Sequence, residues 1–298
     1  MMAAQQANVR GEIRLNEPMS KHTSWRVGGP AETFFVPSSI DDLAEFLHEL
    51  HSAIPVFWLG IGSNLLVRDG GIPGVVISAT RVLKDIERVE HYAVRAGSGL
   101  ACTQLARQCV RWGVGPSEFF AGIPGTVGGA LAMNAGAHGG ETWEQVESVR
   151  TIDRSGEIHE RASGEYSVGY RSVTGPKNEW FIEGTFRFDP EVTPSVETMN
   201  NMLERRKTTQ PLGLPSCGSV FRNPPGDHAA RLIETAGLKG LSIGGAEVSE
   251  KHANFIINSD NATATDVEEL IEHVRLAVIE VHGIELIHEV RIVGEVVK

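Results

Sequence analysis

Apolar residues recur along several stretches of the chain at the three-and-four spacing of a buried helix face. Leu43, Phe46, Leu47 and Leu50 share one face of a helix predicted over residues 40–50, opened by a capping box of Ser39 and Asp42. A second helix is predicted over 100–112, stopped by Gly113. Pro190 and Pro194 mark a boundary, after which 196–206 reads as a helix ending in the basic run Arg205-Arg206-Lys207. A short helix over 229–236 follows Asp227 as its cap and stops at Gly237. The strongest pattern spans 264–282. Val267, Leu270, Ile271, Val274, Val278 and Val281 form its apolar stripe, Thr265 with Glu268 its capping box, and Gly283 its stop. Strand-like runs fall at 32–37, 56–59, 148–152, 157–160, 180–188 and 284–297. Strands dominate the first part without regular βαβ alternation, which predicts an α+β protein.

Glycine interrupts these patterns twice. Gly60-Ile61-Gly62-Ser63-Asn64-Leu65-Leu66-Val67 follows a strand but lacks the third glycine and the helix of a dinucleotide-binding turn. Strand–loop–strand is expected there, and Gly60, Gly62, Ser63 and Asn64 suit either a pyrophosphate nest or a plain tight turn. The second stretch, Ala121-Gly122-Ile123-Pro124-Gly125-Thr126-Val127-Gly128-Gly129-Ala130, runs on through Met133-Asn134-Ala135-Gly136-Ala137 with almost no bulky side chain. Glycine lowers stability inside regular elements. Its density here predicts backbone pressed against a large flat or charged ligand, or else helix packed tightly on sheet. No GxxxxGK[ST] sequence occurs, which excludes a P-loop nucleotidase.

Charge narrows the partners. A net charge of −11 argues against nucleic-acid binding, which needs a basic face, so an anionic ligand would need locally gathered cations or N–H groups. Residues 1–15 are polar and no run reaches transmembrane length, so neither secretion nor membrane insertion is expected. Cys102, Cys109 and Cys217 are an odd number without CxxC spacing, and the histidines lack metal-ligand spacing. The expectation is a cytoplasmic protein with no disulfide framework and no metal; the sequence points to no protein partner.

The chemistry comes from a resemblance. His22-Thr23-Ser24-Trp25-Arg26-Val27-Gly28-Gly29-Pro30-Ala31, then the two glycine loops, Gly169-Tyr170-Arg171-Ser172, and Ser216-Cys217-Gly218-Ser219-Val220-Phe221-Arg222-Asn223-Pro224 follow in order. Gly244-Gly245-Ala246, Lys251-His252-Ala253-Asn254-Phe255 and Glu289-Val290-Arg291 complete the set. This combination, covering nearly all of the chain after about residue 15, resembles the UDP-N-acetylenolpyruvoylglucosamine reductase family. The resemblance implies an α+β fold with a two-lobed FAD-binding domain of the vanillyl-alcohol-oxidase type and a C-terminal α+β substrate domain. It divides the chain into 1–70 (joined by a returning strand, 290–298), 71–189 and 190–289. The 172–216 interval has no room for the family's inserted tyrosine loop, so the shorter form is expected.

The activity implied is reduction of UDP-N-acetylglucosamine enolpyruvate to UDP-N-acetylmuramate in peptidoglycan-precursor synthesis, with non-covalent FAD and NADPH. Hydride passes by way of flavin to the terminal enolpyruvyl carbon, and a proton goes to the adjacent carbon. Ser219 matches the family's proton donor, Arg171 an arginine that grips the enolpyruvyl carboxylate, and Glu289 an acidic partner. The cofactor set is Gly60, Gly62, Ser63, Asn64, Leu65, Gly122, Ile123, Pro124, Gly125, Thr126, Gly128, Gly129, Asn134, Gly136 and Ala137. The substrate set is Asn223, Tyr170, Gln210, Lys251 and His252. Taken without the resemblance, Ser219 reads as a turn residue, Arg171 as a loop arginine and Glu289 as part of a solvated strand face. Two other readings remain: an FAD-dependent oxidase of another alcohol or sugar, and a flavin-binding protein without catalysis.

Overall fold

The computed structural model describes residues 9–297, so the first eight residues of the polar stretch 1–15 and the last of the expected returning strand 290–298 lie outside the described residues. The chain mixes helices and strands irregularly, as an α+β protein. No described helix is long and apolar enough to cross a membrane. Two compact units are present: Met1–Arg14, Thr33–Gly60 and Val75–Arg206 in one, Leu15–Glu32, Ile61–Gly74 and Lys207–Lys298 in the other.

The first unit holds two cores. Helix Ile40–Glu49 starts on Ser39, whose hydroxyl accepts the Asp42 N–H. It buries Leu43, Phe46 and Leu47 with Phe35, Val75 and Ile77. The capping box is not reciprocated as the spacing predicts. The fully buried Asp42 carboxylate accepts instead the N–H groups of Arg10 and Ser38, both at 2.7 Å, and the Ser38 hydroxyl at 3.0 Å. Strand Val56–Trp58 runs parallel to Ile72–Ile77, with Val56 opposite Val75. The second core lies on an antiparallel sheet in the order Ile158–Ala162, Val146–Asp153, Glu179–Arg187, Ala93–Gly97, Ile86–Glu90. Helices Cys102–Trp112 and Val127–Met133 bring Leu105, Cys109, Ala130 and Leu131 to it, beside Phe120 and Phe186. Helix Val196–Thr209 runs past the predicted stop at residue 206, so the basic run lies within it.

In the second unit, helix Ala264–His282 packs on the small sheet of Ser242–Ile243, Ala246–Val248 and Ile256–Asn258. Its predicted stripe is buried except for Val281, which is 56% exposed. The predicted cap is corrected. Thr263, reciprocated by Asp266, caps the helix, whereas Thr265 already lies in the first turn and gives its hydroxyl to Asp69. Asp69 also accepts the N–H groups of Ala264 and Thr265 at 3.0 and 2.9 Å. Glu268 is taken by Arg68 in a two-pronged ion pair. The chain's Arg68-Asp69 turn thereby closes the helix N-terminus, where carboxylates and N–H groups attract. His228, not Asp227, precedes helix Ala229–Thr235, because Asp227 is paired with Arg231. Of the β-like tail only Arg291–Val293 forms a strand, parallel to Leu65–Val67.

Candidate functional site

In the first unit the glycine-rich stretch folds as a short 3-10 turn, Glu118–Gly122, then a loop and helix Val127–Met133. Much of its backbone is already committed. The N–H groups of Ile123, Gly125, Val127 and Gly128 donate to carbonyls of Phe120, Ile123, Leu100 and Ser98 at 2.7–3.1 Å. These positions are therefore not an anion nest.

Two different needs for glycine separate here. A Cβ on Gly122 would lie 2.7 Å from the Ala137 Cβ, one on Gly128 2.7 Å from the Ser98 Cβ, and one on Gly136 2.5 Å from the Gly140 oxygen. Those glycines serve close packing. Gly60 and Gly129 do not: their Cβ positions meet only the Thr126 hydroxyl, at 3.2 and 3.7 Å, and otherwise face open space. Thr126 itself caps the helix, accepting the Gly129 N–H at 3.3 Å. Gly60, Thr126 and Gly129 thus form a bare cradle that a flat ligand can approach, and they fit FAD. Gly129→Val is expected to leave a folded protein that loses FAD, whereas Gly128→Ala lowers the melting temperature; isolated FAD content and a thermal melt check both.

Asn134 sits in the left-handed region (φ 47°) and is 2% exposed. Its amide donates to Glu141 and to the Gly169 carbonyl, and its oxygen accepts the Trp143 N–H. It shapes the loop instead of presenting its side chain outward. Arg171, also left-handed at φ 52°, lies at the tip of the hairpin Ser167–Gly169/Ser172–Thr174. Its guanidinium donates to the carbonyls of Asn134 and Gly136 at 3.3 and 3.0 Å and stands 5.2 Å from the half-exposed Tyr170 ring. The loop end and the predicted arginine are therefore neighbours. Nearby His138, which the sequence did not single out, has its pKa lowered by burial and then by the positive fields of Arg205 and Arg206.

In the second unit, Ser219 and Glu289 sit on adjacent segments. Glu289 donates its N–H to the Val220 carbonyl at 2.8 Å, and Phe221 bridges His288. Glu289 precedes the terminal strand instead of sharing its face, and it is partly buried while Glu285, Ile287 and Arg291 are exposed. The loop residues Gly62–Leu65 belong to the same unit. Gly62 has φ 65° and lies so close to the His22 carbonyl that a Cβ would approach to 2.1 Å. The Asn64 amide donates to the Glu289 carbonyl at 3.0 Å, and the Leu65 N–H to the Cys217 sulfur at 2.9 Å.

The predicted substrate residues have mixed settings. The Asn223 side-chain oxygen accepts the Ala229 N–H at 3.1 Å, giving helix Ala229–Thr235 a start. The Lys251 ammonium donates to the Lys207 carbonyl at 2.7 Å. His252 is held below its usual pKa by burial, Gln210 is partly buried and Ser63 likewise. All three cysteines are buried, and burial pushes the thiols of Cys102 and Cys109 up to about 12. Among the described residues, Asp153, Glu157 and His159 also converge; the Asp153 carboxylate there accepts the N–H groups of Ser155 and Glu157 in a tight turn.

Comparison with known proteins identifies two matching family domains. Residues 31–161 match an FAD-binding domain, and 210–293 match the C-terminal domain of UDP-N-acetylenolpyruvoylglucosamine reductase. The chain is 54% identical to the UDP-N-acetylenolpyruvoylglucosamine reductase of Alkalilimnicola ehrlichii over 99% of both chains. It is 53% identical to that of Methylococcus capsulatus, over 96% of this chain and 94% of the other. The crystal structure of the corresponding reductase from Thermus caldophilus superposes with a TM-score of 0.77 at 33% identity, covering 95% of this chain and 98% of that one. On these grounds the chain belongs to the UDP-N-acetylenolpyruvoylglucosamine reductase family, in its shorter form.

Proposed function

We propose that this chain converts UDP-N-acetylglucosamine enolpyruvate to UDP-N-acetylmuramate in the cytoplasm, with Ser219, Arg171 and Glu289 as its catalytic residues. Family membership supports the reaction. The pairing of the Ser219 and Glu289 segments through the Val220 carbonyl is the observation that carries the assignment of residues. FAD, when bound, supplies the hydride chemistry between NADPH and the terminal enolpyruvyl carbon.

The residues do the rest. Gly60, Thr126 and Gly129 are the proposed cofactor contacts of the first unit, and Gly62, Ser63, Asn64 and Leu65 those of the second. Segments 1–70 with 290–298, and 71–189, form the cofactor lobes in this reading, and 190–289 the substrate domain. Arg171, its guanidinium already steadied by two carbonyls, suits a fork on the enolpyruvyl carboxylate, where negative charge grows as hydride arrives. Ser219 then gives its hydroxyl proton to the adjacent carbon. A serine is a weak acid, so this needs a strongly basic carbon in contact and a supported oxyanion. In this reading Glu289, whose segment pairs with that of Ser219 through the Val220 carbonyl, polarises that exchange. Asn223, Tyr170, Gln210, Lys251 and His252 are the proposed contacts to the UDP-sugar. Attachment of FAD is non-covalent, consistent with buried, protonated cysteines.

The test is anaerobic. The purified yellow protein is mixed with NADPH and then with the enolpyruvyl substrate. Bleaching followed by full return of colour and one UDP-N-acetylmuramate per turnover is expected. Bleaching without return of colour on substrate would sink this assignment.

A further inference from the structure

We infer that Asn254 is a positioning residue for proton delivery: its side-chain amide fixes the backbone beside Ser219 and, through Val220, the backbone of Glu289. The inference rests on the reading of Ser219 and Glu289 as reacting groups.

Asn254 is 3% exposed. Its oxygen accepts the Phe221 N–H at 2.9 Å, and its amide nitrogen donates to the Phe221 carbonyl at 2.8 Å. One side chain therefore pairs both polar groups of a single residue, as a neighbouring strand would. Its own carbonyl accepts the Val220 N–H at 3.0 Å. On the other side of the same segment, the Val220 carbonyl accepts the N–H groups of Glu289 and Val290 at 2.8 and 3.3 Å, and Arg222 donates to the Ile287 carbonyl at 2.9 Å. Val220 and Phe221 are thus gripped between Asn254 and the Glu289 segment, with Ser219 as the next residue along.

Residue type matters to this grip. Two bonds of opposite polarity fix position along the chain, where one bond would fix only proximity. An amide offers a donor and an acceptor in one plane, and burial strengthens both bonds. A shift of about 1 Å in a reacting group costs up to ~100-fold in rate, so loss of the grip should appear in the protonation step before it appears in cofactor binding.

The test uses FAD-loaded wild type, Asn254→Ala and Asn254→Asp. For Asn254→Ala we expect retained FAD, NADPH bleaching near the wild-type rate, and reoxidation by substrate slowed about 10–100-fold, with KM changed far less. Hydrogen exchange at the Glu289 and Val290 amides should be faster, a readout independent of turnover. In Asn254→Asp the carboxylate lacks the donor and faces the Phe221 carbonyl, and burial raises its pKa. As pH falls through that raised value the acid O–H replaces the missing N–H. Its reoxidation rate relative to wild type should therefore rise on acidification while that of Asn254→Ala stays flat.

His252, whose Nδ1 faces the residue 254 N–H at 3.3 Å and which feels Lys239 and Glu234, is present in all three proteins, and Asn254→Ala, which has no carboxyl at 254, controls for its own titration. Unchanged reoxidation and exchange in Asn254→Ala overturns the inference, as does a flat Asn254→Asp ratio. Loss of folded, FAD-loaded protein in Asn254→Asp also overturns it, because the amide would then be holding the fold. If wild type itself is not reoxidised, the functional assignment falls, and the exchange data alone decide on Asn254.

Discussion

Ser219→Ala is expected to keep the yellow FAD complex and its bleaching by NADPH while slowing reoxidation by the enolpyruvyl substrate by about 10²–10⁴-fold, the usual contribution of a positioned acid. The separation follows from what the hydroxyl does. The proposed cofactor contacts lie in the glycine loops, and the backbone after Ser219 is held through the bonds of Val220 and Phe221, which alanine leaves in place. On the proposed role of Ser219, only the proton that ends the reaction is removed. Stopped-flow absorbance of the two half-reactions measures this directly. Equal reoxidation in the variant would take Ser219 out of the chemistry.

Asp42→Asn should lower stability at neutral pH by about 1.5–3 kcal/mol, the range for a hydrogen bond to a charged group. It should also flatten the acid limb of the stability curve. Burial alone would raise the Asp42 pKa, but the N–H groups of Ser38 and Arg10 and the Ser38 hydroxyl outweigh it and hold the carboxyl below its usual value. A carboxyl with a depressed folded-state pKa contributes stability above its unfolded value, near 3.9, and loses that contribution as pH falls through the folded value. Wild type therefore loses this contribution below about pH 4, and Asp42→Asn has none to lose. Urea titrations between neutral and acidic pH would show the two curves converging; parallel curves would mean that Asp42 does not act through its charge.

Much of the architecture was legible. The helix stripes were buried nearly as the spacing predicts, since a period of three to four and a core on one side determine each other. Capping was harder, because Thr263 and Thr265 both stand three residues before an acid, and only Asp69, brought in from far along the chain, shows which hydroxyl is spent elsewhere. The glycine loops show the same limit. Gly128 and Gly129 are neighbours with opposite reasons to lack a side chain, and the reason for Gly128 is Ser98, which lies before helix Cys102–Trp112 in the chain. The Asn64 amide also serves the Glu289 carbonyl, a partner 225 residues away that local spacing does not reveal. Cys217 and Asn254 stand in the matched strings with no role attached, and His138 was not singled out. Periodicity reports burial, whereas a hydrogen-bond partner at long range leaves no periodic trace. The candidate catalytic residues came from resemblance and not from spacing.

The pairing of Leu65–Val67 with Arg291–Val293 sets a timetable for synthesis. Asn64 and Glu289 are 225 residues apart, so a ribosome adding about 5–20 residues per second makes the first roughly 10–45 s before the second. Throughout that interval the apolar Leu65-Leu66-Val67 strand has no partner, and an unpaired strand edge is a template for association with other chains. Pairing of that segment is therefore expected only once the residues around Glu289 have been made.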